Sequence, residues 1–208
     1  MINGLRAFLL EGGIAVRKGR EYLLRNIPLV LEAAEQALSP RIIKILRFLW
    51  QEWQSLEIQV AELRGEIDHL AKHEEPCRRL LSVPGVGTLV ATAMVATIGN
   101  GSAFRKGRDF AAWLGRLPRQ HSTGGKQKLL GISKRGDSYL RRLFIHGARS
   151  VVLHAKRDRE GLGHWIRQLE ARTHRNVLVV ALANKLARIA WAVLTTGEPY
   201  RDGAVAGV

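Results

Sequence analysis

The stretch Leu80-Leu81-Ser82-Val83-Pro84-Gly85-Val86-Gly87-Thr88-Leu89-Val90-Ala91-Thr92-Ala93 decides the fold. A residue before proline is pushed out of the helical region, so a helix arriving at this stretch ends at Val83. Pro84-Gly85-Val86-Gly87 then forms a tight turn. A second helix begins near Thr88 and runs through small and apolar residues to Ile98. Val86 is placed to tuck between the two helices, while Gly85 and Gly87 leave main chain uncovered. Uncovered main chain beside a fresh helix N-terminus, here at Thr88, offers unpaired N–H groups and a partial positive charge to phosphate.

Upstream, a helix near Leu5, Phe8 and Leu9 stops at Gly12-Gly13, and a second runs from about Gly19 to Leu38, disturbed by Pro28. Ser39-Pro40 is an N-cap followed by proline at the first helical position. Beyond it Ile42, Leu46, Leu49, Trp53, Leu56, Val60, Leu63, Ile67 and Leu70 alternate at steps of four and three. That is a heptad seam, which predicts a coiled coil over residues 42–70, within or between chains. Gly65 is its local weakness. The helix is expected to continue to roughly Leu81. His69 and His73 stand i, i+4, but no cysteine or acidic partner stands at a zinc-binding spacing, so both are read as solvent-facing.

The formal net charge is +15 over 208 residues. Residues 101–160 hold 15 Lys/Arg against 4 Asp/Glu, whereas residues 1–80 hold 12 against 11. Evenly scattered charge would serve solubility; an excess concentrated in one stretch points to an anionic partner, nucleic acid above all. One cysteine, Cys77, excludes an internal disulfide framework. No uninterrupted apolar run approaches a membrane span, and the N-terminal residues lack a secretory pattern. The expected location is the bacterial cytoplasm, associated with the nucleoid and not with a membrane.

Downstream, Gly99-Asn100-Gly101 closes the second helix. Arg105 and Lys106 precede a short helix, Asp109 to Leu114. Arg119 and the Ser122-Thr123-Gly124-Gly125-Lys126 segment follow, read as a flexible loop presenting a hydroxyl to DNA phosphate. The spacing is not that of a P-loop, so a nucleoside triphosphate is not expected. Lys126, Lys128, Lys134 and Arg135 are placed to neutralise phosphate, and Arg141 and Arg142 lie on the helix that follows. No segment shows convincing strand alternation, although residues 115–133 have room for a short hairpin. Asp109, Asp137, Asp158 and Glu160 are scattered among basic residues and read as capping or ion-pair partners. Toward the C-terminus, Trp165, Ile166 and Leu169 suggest a short amphipathic helix. Residues 177–194 read as a core helix interrupted by Asn184, Lys185 and Arg188, for which a DNA-facing role is the lesser alternative. Trp191 is read as packing, and the tail from Arg201 as frayed.

The hairpin resembles the helix-hairpin-helix of many DNA-handling proteins. A wider resemblance is carried by Val83-Pro84-Gly85-Val86-Gly87, Ala111-Ala112-Trp113-Leu114-Gly115, Pro118-Arg119-Gln120-His121-Ser122-Thr123-Gly124-Gly125-Lys126, Ile132-Ser133-Lys134-Arg135-Gly136-Asp137 and Tyr139-Leu140-Arg141-Arg142, in that order. These pieces resemble the C-terminal transposase domain of insertion-sequence family one-hundred-and-ten, in the subgroup typified by family eleven-eleven. The helices of residues 1–80 resemble that family's connecting coiled coil.

The resemblance implies a DNA recombinase with a serine nucleophile, which falls on Ser122, with Thr123 as the fallback. It also implies a separate RuvC-like domain of four acidic metal ligands, absent from this chain. Mg²⁺ is therefore expected only with that domain, and none bound by this chain. The implied partners are DNA, a structured guide RNA of the element, and further copies of the chain through residues 42–70. The expected fold is all-α: a helical and coiled-coil region (1–79), a transposase domain holding the hairpin and the serine segment (80–160), and C-terminal helices (161–208). Expected DNA contacts are Gly85, Val86, Gly87, Thr88, Arg105, Lys106, Arg119, Gly124, Gly125, Lys126, Lys128, Lys134, Arg135, Arg141 and Arg142. Whether the chain catalyses alone is left open by the missing acidic ligands. The alternative is a non-catalytic DNA- or RNA-binding remnant that dimerises and regulates transposition.

Overall fold

The computed structural model describes residues 2–115, 118–123, 126–133, 135–154 and 161–202, and the side chains of 118–123 and 126–131 lie outside that description. The chain divides into two compact units, Met1–Gly65 and Glu66–Val208.

In the first unit, α1 (Ile2–Glu11) and α2 (Arg20–Ala34) pack with the leading half of α3 (Pro40–His73). Leu5 and Leu9 of α1, Leu23, Ile27, Leu31 and Ala34 of α2, and Ile43, Leu46 and Trp53 of α3 form the core. These spacings of three and four put one stripe of each helix inward. α1 ends as predicted at its glycines. Gly13 has φ 79°, its N–H donates to the Leu10 carbonyl, and the Ile14 N–H reaches back to Leu9 at 2.8 Å. That pair of bonds is a Schellman closure, which needs a left-handed residue at Gly13. α2 runs through Pro28. The proline is exposed, so the carbonyl it leaves unpaired is on the watered side while Ile27 and Leu31 stay buried.

The heptad seam divides. Leu46 and Trp53 are buried inside the first unit, with Ile42 and Leu49 packed against its core. Leu56, Val60 and Leu63 are 42%, 53% and 58% exposed. The leading half of the predicted coiled coil is thus spent within the chain, on α1 and α2, and only the trailing residues are free to pair. Trp53 also donates its indole N–H to Glu57 at 2.7 Å, and Arg20 closes on the same carboxylate from α2. The Arg20 hydrogen bond, then the Trp53 one, holds the Glu57 carboxyl below its ordinary range.

α3 stops at His73, earlier than predicted, and α4 (Glu75–Leu80) follows after Glu74. Pro76 near the start of α4 has no N–H to continue the ladder. α5 (Thr88–Ile98), α6 (Gly107–Trp113), α7 (Ser138–His154), α8 (Leu162–Glu170) and α9 (Arg175–Thr196) complete the helices of the second unit. Residues 161–202 do not stand apart from 80–160 as the expected division had it. α9 is apolar on most of its circumference, so α4, α6, α7 and α8 all pack on it and one core results. Leu178, Leu182 and Leu186 of α9 are fully buried, each stabilising by about 2 kcal/mol. Among the described residues α9 is also the helix long and apolar enough to cross a membrane, with 56% of its apolar window buried inside the fold.

The fold is all-α apart from one two-stranded ribbon, where the sequence left room for a hairpin. Strands β1 (Pro118–Thr123) and β2 (Lys126–Ile132) pair antiparallel, with an irregularity between Pro118 and Gln120 where proline cannot donate to the ladder.

Tyr200 and Asp202 are tied down, so of the tail read as frayed from Arg201 at least Asp202 is held, and residues 203–208 lie outside the described residues. The Tyr200 N–H donates to the Ser82 hydroxyl oxygen at 2.8 Å, and the Tyr200 hydroxyl donates to Asp202 at 2.9 Å. Asp202 in turn accepts the Leu162 N–H at 3.2 Å, satisfying a donor at the start of α8.

Candidate nucleic-acid interface

The turn between α4 and α5 follows from its residues. The Val86 N–H donates to the Val83 carbonyl at 3.0 Å, Pro84 takes the second position and Gly85 the third, with φ 75°. Proline then a left-handed glycine is the type II pattern. Val86 is buried between the helices, as the sequence predicts. The two glycines separate in role. A Cβ on Gly85 would stand 2.7 Å from the Gly147 carbonyl oxygen and 2.8 Å from Val151, so this glycine packs the turn onto α7. Gly87 has nothing within 4 Å of such a carbon and is exposed. It is the N-cap of α5 and provides no side-chain cap. The first N–H groups of α5, from Thr88 onward, therefore face outward from an uncovered position.

Ser122 and Thr123 lie on β1 and Lys126 on β2, where a loop was expected. Ser122 pairs with Gln127, Thr123 with Lys126, and His121 with Lys128 across the ladder. Short polar strands carry no alternation that reveals them, because a two-stranded ribbon is held by its backbone ladder. Arg119, Lys126 and Lys128 lie on the same two strands. Gly124, Gly125 and Lys134 are outside the described residues, as are Asp158 and Glu160.

The ribbon's base is pinned by two glycines. A Cβ on Gly115 would stand 1.9 Å from the Arg135 carbonyl oxygen, and one on Gly136 would stand 1.7 Å from that of Trp113. Both residues have positive φ, 72° and 100°. The chain thus leaves and re-enters the helical body at one crossing. Immediately after it, Asp137 accepts the Leu140 N–H at 2.6 Å and starts α7. Arg141 donates to the Leu114 carbonyl at 3.1 Å and braces α7 to the end of α6. Arg105, Lys106 and Arg135 are exposed; Arg142 is exposed too, with its Nε 3.3 Å from the Ser138 carbonyl. Asp109 is exposed in the first turn of α6. The His69 and His73 rings stack at 3.9 Å, and among the described residues no three His, Cys, Asp or Glu side chains gather in a metal-holding group.

Gly147, Gly115 and Gly136 carry geometry that sequence reasoning assigned to no partner. A lone glycine inside the α7 helix was the available signal, since it costs about 1 kcal/mol there unless something approaches closely. Trp191 is a packing residue, with its indole N–H on the Gly101 carbonyl at 3.1 Å.

The helices, the turn at Pro84-Gly85 and the pinned ribbon together form a helical domain with one two-stranded ribbon. Residues 77–162 match the family model described as Transposase IS116/IS110/IS902 family. It is 44% identical over 204 residues to a probable family 20 transposase of Pseudomonas aeruginosa, covering 98% of this chain and 60% of the relative. It is 40% identical over 204 residues to the transposase for insertion sequence element IS1111A of Coxiella burnetii, covering 98% of this chain and 56% of the relative. A pilin gene-inverting protein of Moraxella bovis is 26% identical over 146 residues, covering 68% of this chain and 42% of the relative. The chain therefore spans about 60% of the length of the first of these relatives.

Proposed function

We propose that this chain binds DNA and takes part in transposition or related recombination, with Ser122 as the nucleophile. The observation that carries the reading is the pinned ribbon: a serine within a basic strand pair, held on a helical body inside the family-matched segment. The named activities of the relatives, transposition and gene inversion, are both DNA rearrangements and support the same class.

The chemistry balances without an external energy source. The Ser122 hydroxyl gives up its proton to a base, and its oxygen bonds to the phosphorus of a DNA phosphodiester. The bond from phosphorus to the leaving sugar oxygen breaks, and that oxygen takes a proton. The resulting phosphoserine ester keeps the bond energy, so a hydroxyl of another strand rejoins by the reverse attack. Cationic side chains of the basic stretch neutralise charge on the phosphoryl oxygens. The exposed turn at Gly87 and Thr88 contacts the DNA backbone in the manner of a helix-hairpin-helix, positioning DNA without reading sequence.

In this reading Asp137 and Asp109 are given no metal-binding role, since Asp137 caps α7 and Asp109 stands exposed in the first turn of α6. A metal-dependent step therefore calls for ligands other than these. A structured RNA of the element and a second copy of the chain are the further partners of this reading.

Covalent trapping on labelled element-end DNA tests it, with the chain alone and with the family's acidic metal-binding domain added. The expected result is a denaturation-resistant adduct that Ser122→Ala abolishes and Thr123→Ala retains. An adduct unaffected by Ser122→Ala would remove the nucleophile assignment. The exposure of Leu56, Val60 and Leu63 favours a second reading, a self-pairing nucleic-acid binder that regulates transposition without cutting. Tight salt-sensitive binding with no adduct in any mixture would select it.

A further inference from the structure

The α6–α9 seam of the second unit concentrates positive charge where the fold has no need of it. Gly107 lets the two helices close: a Cβ there would stand 3.2 Å from the Trp191 ring and 3.3 Å from the Arg188 carbonyl oxygen. That contact brings Arg108, the next residue, within electrostatic reach of Arg188. Lys185 lies three residues before Arg188 on α9, on the same face. Its ammonium is 5.4 Å from the centre of the Trp165 ring. The Arg188 Nε is buried without a hydrogen-bond acceptor. Among the described residues, no carboxylate pairs with Arg108, Lys185 or Arg188.

Burial, then the neighbouring cation, pushes both Lys185 and Arg188 below their ordinary ranges. A core helix gains nothing from such a cluster. Like charges held together on a half-buried face repel one another, and a neutral residue at Arg188 would remove that repulsion. Cations held together against that cost are explained by an anion that joins them.

We propose that Arg108, Lys185 and Arg188 form a phosphate-binding position for a nucleic-acid backbone on the α6–α9 seam. This rests on the nucleic-acid reading above and adds a contact to it, so duplex DNA meets the second unit here as well as at the Gly87 turn. Trp165 holds the Lys185 ammonium in place, and the exposed Arg108 with the half-buried Arg188 guanidinium beside it brings the remaining positive charge to the phosphate.

The test measures two quantities on the full chain with Arg188→Met, Arg108→Gln and, as a control, Lys18→Gln on the exposed surface of the first unit. The first is the slope of log affinity against log salt for a short DNA duplex. Each lost phosphate contact lowers that slope by about 0.9. Arg188→Met and Arg108→Gln should each lower it by about that amount, and Lys18→Gln should leave it unchanged. The second is the melting temperature without DNA. Arg188→Met should raise it by about 2–4 °C, because a half-buried cation beside Arg108 is removed. Loss of binding together with gain of stability is a signature that a merely structural arginine does not produce.

Arg188→Met melting lower, with every slope equal to wild type, overturns the proposal while leaving DNA binding intact. Inorganic phosphate that raises the melting temperature in an Arg188-dependent way, with duplex slopes unchanged, overturns the backbone assignment in favour of a small anion. A wild-type chain that binds neither duplex nor single strand removes the underlying reading and this inference with it.

Discussion

Gly85 and Gly147 meet backbone to backbone: a Cβ on Gly147 would stand 2.1 Å from the Gly85 carbonyl oxygen. The hairpin turn is therefore seated on α7 by the absence of two side chains. Gly147→Ala is expected to destabilise the second unit by about 3 kcal/mol, since backbone and not a flexible side chain must move. Gly85→Ala should cost at least as much, because its positive φ adds strain. Gly87→Ala should leave stability within about 0.5 kcal/mol. Urea denaturation of the three variants checks the ordering, and a stable Gly147→Ala would contradict the close approach.

Gly87 is accordingly the position at which to test DNA contact without disturbing the fold. Gly87→Glu places a carboxylate beside the first turn of α5, where it competes with phosphate. Duplex affinity should fall at least tenfold, with the melting temperature unchanged. Unaltered affinity would mean that DNA does not touch this turn.

The seam of α3 predicts a split in mutational behaviour. Trp53→Ala opens the core of the first unit and leaves Glu57 without its indole donor, so a loss of about 3–5 kcal/mol is expected. Leu56→Lys with Leu63→Lys should leave stability nearly unchanged but weaken self-association. Sedimentation velocity distinguishes the two, and self-association untouched by the double variant would assign pairing to another surface.

Cys77 is buried, and its thiol is pushed up to about 11 by burial and then by Glu74. A raised folded pKa means the folded state holds the proton more firmly. Its stabilising contribution is whole below the ordinary thiol range and is lost as pH rises toward about 11. Iodoacetamide at pH 7.5 should not label native protein and should label it in denaturant. Rapid native labelling would show that the thiol is not enclosed.

Ser82 joins two distant parts of the second unit, accepting from Tyr200 while donating to the Arg79 carbonyl at 2.6 Å. Ser82→Ala should cost about 1 kcal/mol and release amide-exchange protection first at Tyr200 and then at Leu162. Protection lost evenly across the unit would refute a local tie.

The helices were legible because each buries a stripe at helical spacing, as Leu5 with Leu9 and Leu178 with Leu182 do. The turn at Pro84-Gly85 was legible because both residue types impose their own dihedrals. The ribbon was not, because its ladder is made of backbone that every residue possesses. The split of the α3 seam was illegible as well: Leu46 and Leu63 look alike in sequence, and only α1 and α2 decide which is covered. The serine position came from resemblance to a family, and the geometry around Gly115 and Gly136 came from no local pattern, since Gly115 answers to the carbonyl of Arg135 and Gly136 to that of Trp113, both distant in sequence.

Strands β1 and β2 join the helical body through one crossing at Gly115 and Gly136, and Phe104, Phe110 and Phe144 pack within that body. The two gatepost glycines thus separate the serine-bearing strands from the helical core, so a substitution on β1 or β2 leaves both the crossing and the core in place.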